Sequence, residues 1–143
     1  MIQAGQLIQP LINLLRDRLL AYDILQMDET TVQVLNEPGK TAQSPSYLWL
    51  QRGGPPEQPI FLYDYDPSRG AGVPKRLLDG FRGTLQTDGY DGYNAVVATN
   101  HLSHLGCFAH ARRKMAFRDL NSMKPSRPKA NTPVGARRIE VWP

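Results

Sequence analysis

The spacing of apolar positions changes character along the chain. Leu7, Leu11, Leu14, Leu15 and Leu19 recur at three- and four-residue intervals, which predicts a helix over Gln6–Tyr22. Pro10 is awkward in mid-helix, so the main helix is expected to start beside it. The pattern then turns β-favouring. Ile24, Met27, Thr31, Val32, Val34 and Leu35 suit a first strand, and Asn36–Lys40 reads as a turn. Ser46–Gly53 alternates large residues as a second strand and is broken by Gly53-Gly54-Pro55-Pro56. Pro59–Gly70 is a third strand, closed at Asp66-Pro67-Ser68-Arg69. Three strands with short connections predict an antiparallel meander.

Helix and strand then alternate. Val73–Phe81 predicts a short helix with Val73, Leu77 and Leu78 on one face and Gly80 at its end. Gly83–Asp88 reads as a fourth strand, Asp91–Asn100 as a helix with Val96 and Val97 inward. His101–Met115 starts as a strand and turns helical around Ala109. A meander followed by βα units predicts an α/β fold, a mixed sheet flanked by helices. From Lys124 the pattern is lost: prolines at 125, 128, 133 and 143 alternate with basic residues. Such a segment buries too little surface to offset its ordering entropy. The expected organisation is therefore residues 1–22 as a helix packing on the core, 23–118 as the core, and 119–143 as a basic, proline-rich, disordered tail.

Composition changes this picture little. The chain has 143 residues, 41% hydrophobic and 21% charged, which suits one domain. A net charge of +4 is a modest hint of a phosphate-bearing partner. The single cysteine, Cys107, excludes an intrachain disulfide and reads as intracellular. No stretch approaches the roughly 18 apolar residues of a membrane span, so no membrane partner is expected.

Candidate chemistry centres on two carboxylates. Asp28 falls within the first strand, and Asp88 ends the fourth, just before Gly89. If strand four runs parallel beside strand one, the two meet and form a site for hard cations such as magnesium or manganese. The residues alone leave another reading open, with Asp28 a solvated strand position and Asp88 an Asx-turn residue. Glu29 points to the other face of its strand and is left out of the site. Asp64 and Asp66 read as turn and surface residues, Tyr90 and Tyr93 as packing residues. His101, His104, Cys107 and His110 are all zinc-capable, but a spacing of three gathers all four neither on a helix nor on a strand. Arg112, Arg113 and Lys114 form a basic cluster on a helix, suited to DNA phosphates or to plain solvation.

Three long stretches carry a resemblance: MDETTVQVLNEPGKTAQSPSYLWLQRGG, FLYDYDPSRGAGVPKRLLDGFRGTLQTDGYDGYNAV and HLGCFAHARRKM. In this order they resemble the catalytic core of DDE-type transposases of the insertion sequence sixty-six family, over about Gly5 to Phe117. The resemblance implies a ribonuclease-H-like fold and magnesium- or manganese-dependent DNA cleavage and strand transfer. It places the first catalytic aspartate on Asp28 in MDETTV and the second on Asp88 in LQTDGY, with both as metal ligands. His110, in CFAHARRK, matches a recurrent family motif and is expected near the site. DNA, as transposon ends and target, is the implied partner, in a bacterial, nucleoid-associated cytoplasmic setting.

The pattern then departs from the family. The third acid, a downstream glutamate on a helix, has no counterpart, and Glu140, within RRIEVWP, does not match its context. The chain is expected to be a core fragment cut at both ends, inactive alone, with apolar surface left exposed. The alternative is a noncatalytic DNA- or protein-binding remnant that pairs with full-length transposase or with itself.

Overall fold

The computed structural model describes residues 2–122, with side chains over 5–116. The predicted tail from 123 onward and Glu140 lie outside the described residues. The elements are α1 (Ile2–Leu20), β1 (Ile24–Gln33), β2 (Pro45–Gly53), β3 (Ile60–Asp66), α2 (Gly72–Leu77), β4 (Thr84–Thr87), a 3-10 turn (Asp91–Tyr93), α3 (Asn94–Asn100), β5 (Ser103–Gly106) and α4 (Phe108–Ser122). Their kinds and order follow the apolar spacing. Several boundaries differ: α2 ends at Leu77, short of Phe81, and α4 carries residues 119–122, expected in the tail.

The five strands form one mixed sheet in the order β3-β2-β1-β4-β5. β1, β2 and β3 pair antiparallel, whereas β4 joins β1 in parallel and β5 joins β4 in parallel. Parallel neighbours need a crossover. The chain supplies one through α2 and one through the 3-10 turn and α3. Their apolar residues Val73, Leu77, Leu78, Tyr93 and Val96 are buried with Leu25, Met27, Trp49, Leu62 and Leu85 of the strands. Side chains alternate across a strand, so these strand residues share one face. That face holds the core.

The first helix departs from expectation. It begins at Ile2 and carries Pro10 inside it. Proline has no N–H to give to Gln6, and the exposed position of this turn leaves that carbonyl to water. Only its C-terminal part packs: Leu19 is buried, and Leu15 and Leu20 lie against the core. Leu7, Leu11 and Leu14 are 83%, 58% and 63% exposed. The apolar stripe read from the sequence is thus covered only towards the C-terminal end of the helix.

Two further contacts fix the frame. Asp64 is not a turn residue. Both its oxygens accept from Arg16 of α1, at 2.8 and 2.9 Å, and one accepts from the buried Gln51 at 2.9 Å. It therefore ties α1 to the sheet, a role that depends on a residue far away in sequence. Gly83 lies where a Cβ would come within 2.5 Å of the Asp23 carbonyl oxygen. Its lack of a side chain lets Thr84 N–H reach that oxygen at 2.8 Å and start β4 beside β1.

Candidate active site on the open face of the sheet

The parallel register of β1 and β4 aligns Ile24 with Thr84, Leu25 with Leu85 and Gln26 with Gln86. The paired register ends there, and Asp88 lies one residue past the end of β4. Leu25 and Met27 face the core, so Gln26 and Asp28 face away from it. Leu85 and Thr87 face the core, so Gln86 faces away as well. The topology thus puts Asp28 on the open face and Asp88 just past the end of the neighbouring strand.

The two aspartates are held differently. Asp88 Oδ1 accepts the Tyr90 N–H at 2.9 Å, closing an Asx turn. Gly89 makes the turn with φ +85°, a left-handed conformation that glycine adopts at no steric cost. Asp88 is therefore a turn residue, yet only one of its oxygens is used so. Asp28 Oδ1 accepts the Glu29 N–H at 3.0 Å, and Oδ2 lies 3.3 Å from His110 Nε2 of α4. The Asp28 side chain remains 44% exposed. His110 arrives because the Cys107 N–H bonds the Thr87 carbonyl at 2.7 Å, so α4 starts at the end of β4.

Cys107 is half-buried beside His110, whose hydrogen bonds hold its thiol below the usual cysteine range. His101 is exposed, and His104 bonds the Thr87 hydroxyl at 2.8 Å. Arg112, Arg113 and Lys114 are exposed on α4. Two depressions flank Asp28. One, of about 180 Å³, is lined among others by Asp28, Arg52, Gln86, Cys107 and His110. The other, of about 110 Å³, includes Leu48, Leu50 and Tyr63.

On the opposite side of β1 lies a network that sequence reasoning passed over. Glu29 does point to the other face, and its carboxylate is 1% exposed. It accepts from Arg69 through Nε at 2.9 Å and from the Tyr93 hydroxyl at 2.8 Å. The Arg69 guanidinium sits 4.0 Å from the centre of the Tyr90 ring, and the Tyr90 hydroxyl donates to the Arg69 carbonyl at 2.9 Å. Burial, then the charge of Glu29, pushes Tyr93 above the usual tyrosine range; Asp88 and Asp28 add to this. Tyr93 also meets Trp49 edge-on at 6.0 Å. Tyr90 and Tyr93 pack, as expected, and they also connect the chain beside Asp28 to the turn that holds Asp88. The signal for Glu29 was its place beside Asp28 in MDETTV, but its partner Arg69 could only be found through the fold.

Oxygen donors suit hard cations, and magnesium often takes one or two carboxylates plus water and substrate phosphate. Asp28 and Asp88 fit that description for one ion. Among the described residues no group of three or more His, Cys, Asp or Glu is placed to hold a metal. Among them, no helix is long and apolar enough to cross a membrane.

The sequence matches the family described as Transposase IS66 family over residues 1–134. It is also similar to three uncharacterized proteins of Sinorhizobium fredii (strain NBRC 101917 / NGR234). It is 37% identical to y4qI over 106 residues, 66% of this chain and 19% of that protein. It is 35% identical to y4jD over 117 residues, 70% and 22% of the two chains, and 27% identical to y4hP over 141 residues, 94% and 26%. The chain thus spans about a fifth to a quarter of the length of these relatives. No solved structure matches it. With the family matched along nearly its whole length, this chain belongs to the IS66 transposase family.

Proposed function

We propose that this chain carries part of a ribonuclease-H-like DDE transposase core, in which Asp28 and Asp88 hold a magnesium or manganese ion for cleavage and joining of DNA strands. The observation that supports the reading is the parallel pairing of β1 with β4, which sets the strand carrying Asp28 beside the strand that leads into Asp88. The strand order, three antiparallel strands followed by two parallel ones joined by helical crossovers, supports the ribonuclease-H-like assignment. A hard cation bound there would activate an attacking hydroxyl or water and offset charge on the leaving oxygen.

The chain's own residues do the rest. His110 orients the Asp28 carboxylate from α4. The Asx turn at Asp88 fixes one oxygen and leaves the other for a ligand. Arg112, Arg113 and Lys114 give α4 a basic stretch for DNA phosphates. Two carboxylates serve one ion; a second ion would need another acid. Misplacing reacting groups by about 1 Å costs on the order of a hundredfold in rate, and on that ground the chain alone is read as inactive in strand transfer.

Manganese binding to the whole chain, followed by the ion's paramagnetic resonance, tests this reading. Asp28→Asn and Asp88→Asn should each weaken binding at least tenfold. Binding that ignores both changes would sink the reading. A second reading has its own observation: Phe61, Tyr63 and Tyr65 of β3 are exposed in a row, and so are Leu7, Leu11 and Leu14 of α1. Apolar surface of this kind favours a noncatalytic role in which the chain pairs with full-length transposase. Co-elution of the two proteins, unaltered by Asp88→Asn, would support it.

A further inference from the structure

Arg52 lies on the open face of β2, opposite Gln26 and next along that face to Leu50, which pairs with Asp28. Three polar side chains form a ladder there across three strands. Arg52 donates through Nη1 to Gln26 Oε1 at 2.8 Å, and Gln26 Nε2 in turn donates to Gln86 Oε1. The guanidinium also sits 5.7 Å from the centre of the Phe61 ring. Arg52 is half-buried and lines the same depression of about 180 Å³ as Asp28 and His110.

The hydrogen-bond partner of this cation is neutral, as is that of Arg82. Arg16, Arg69 and Arg76 each close on a carboxylate, Asp64, Glu29 and Asp66 respectively. Arg52 closes on a neutral amide and lies over the Phe61 ring, and makes no ion pair among the described residues. An amide fixes the orientation of a guanidinium without neutralising it. The remaining donors stay charged and available in a cavity that also contains a catalytic-site carboxylate. Guanidinium matches phosphate in planar, two-pronged geometry, which an ammonium group does not.

We infer that Arg52 is a DNA phosphate-binding residue, gripping a backbone phosphate next to the one positioned at Asp28 and Asp88, with Gln26 and Gln86 holding it in place. The inference rests on the proposed function for its substrate class. It adds a contact on β2, on the far side of Asp28 from β4, and so defines the direction in which the strand leaves the site.

The test is binding of a short fluorescein-labelled DNA duplex to the full chain, without divalent ions, over a range of salt. Each phosphate contact contributes about 0.9 to the slope of log affinity on log salt for duplex DNA. Arg52→Gln should lower that slope by about 0.9 and weaken binding at low salt by about tenfold or more. Arg52→Lys should keep the slope, since the charge remains, but lose part of the affinity. If Arg52→Gln folds poorly, Arg52→Lys decides, because affinity equal to that of the unaltered chain would overturn the inference. So would an unchanged slope in a folded Arg52→Gln variant, as a purely structural ladder predicts, or a chain that does not bind the duplex at all. The manganese experiment keeps the two ideas apart. A slope that depends on Arg52, with manganese binding indifferent to both Asp28→Asn and Asp88→Asn, retains the phosphate contact and removes the metal site. The opposite pair of results does the reverse.

Discussion

Asp28 and Glu29 are neighbours in sequence and alike in chemistry, yet they lie on opposite faces of the sheet with opposite fates. Glu29 faces the covered side, 1% exposed, and is held by Arg69 and Tyr93. Asp28 faces the open side, 44% exposed, with the Glu29 N–H on one oxygen and His110 beside the other. A buried carboxylate must be fully paired, because its desolvation is costly. An open one can stay under-used, and an under-used carboxylate can take a ligand. The same contrast runs through the whole sheet. One face holds Trp49, Leu25 and Leu85, fully buried. The other holds Asp28, the Arg52 ladder and exposed aromatic residues.

The largest test of this contrast compares aromatic residues on the two faces. Trp49→Ala empties a fully buried site and should cost about 3–5 kcal/mol, enough to unfold much of the protein. Tyr63→Ala, with Tyr63 at 62% exposure, should stay within about 0.5 kcal/mol. Urea titrations of the two variants measure the difference, and equal losses would mean that the open face is covered in solution.

A sharper test exchanges the neighbouring acids for their amides. Glu29→Gln strands Arg69 and should cost about 2 kcal/mol. That is less than a fully buried pair would lose, because Arg69 is itself 43% exposed and partly screened. Asp28→Asn should cost under about 1 kcal/mol and affect manganese binding instead. Melting curves and metal titrations on both variants should show these losses crossing over. If Asp28→Asn proves the more destabilising, the assignment of the faces fails.

The smallest effect concerns Cys107. Its thiol is held below the usual range by His110, so more of it is thiolate at neutral pH and iodoacetamide should react with it faster than with a free cysteine. His110→Ala should slow that reaction several-fold. An unchanged rate would separate the thiol from the His110–Asp28 edge of the site.

Much of the fold was legible in the residues. The β-favouring run from Ile24, the alternation of Ser46–Gly53 and the breakers at Gly53–Pro56 and Asp66–Arg69 marked three strands where β1, β2 and β3 lie. Pro10 misled, because an exposed first helix tolerates the lost hydrogen bond. Asp64 was taken for a turn residue because Arg16 is 48 residues away, and nothing local announces that pair. Arg52 stood in plain alternation with Leu50, but alternation alone does not say which side of a strand will be covered.

The sequence by itself determined the kind and order of the elements and, through the MDETTV and LQTDGY motifs, the two aspartates worth watching. The elements are properties of local spacing, since a period of two or of three to four residues is written into the chain. The aspartates stood out through the resemblance of those motifs to the family. Only the tertiary structure decided that β4 lies beside β1, which face the crossover helices cover, and hence that Glu29 is buried in an ion pair while Asp28 stays open. Those outcomes depend on contacts between residues far apart in sequence. Burial then divides each strand into a side that must be satisfied and a side that can bind.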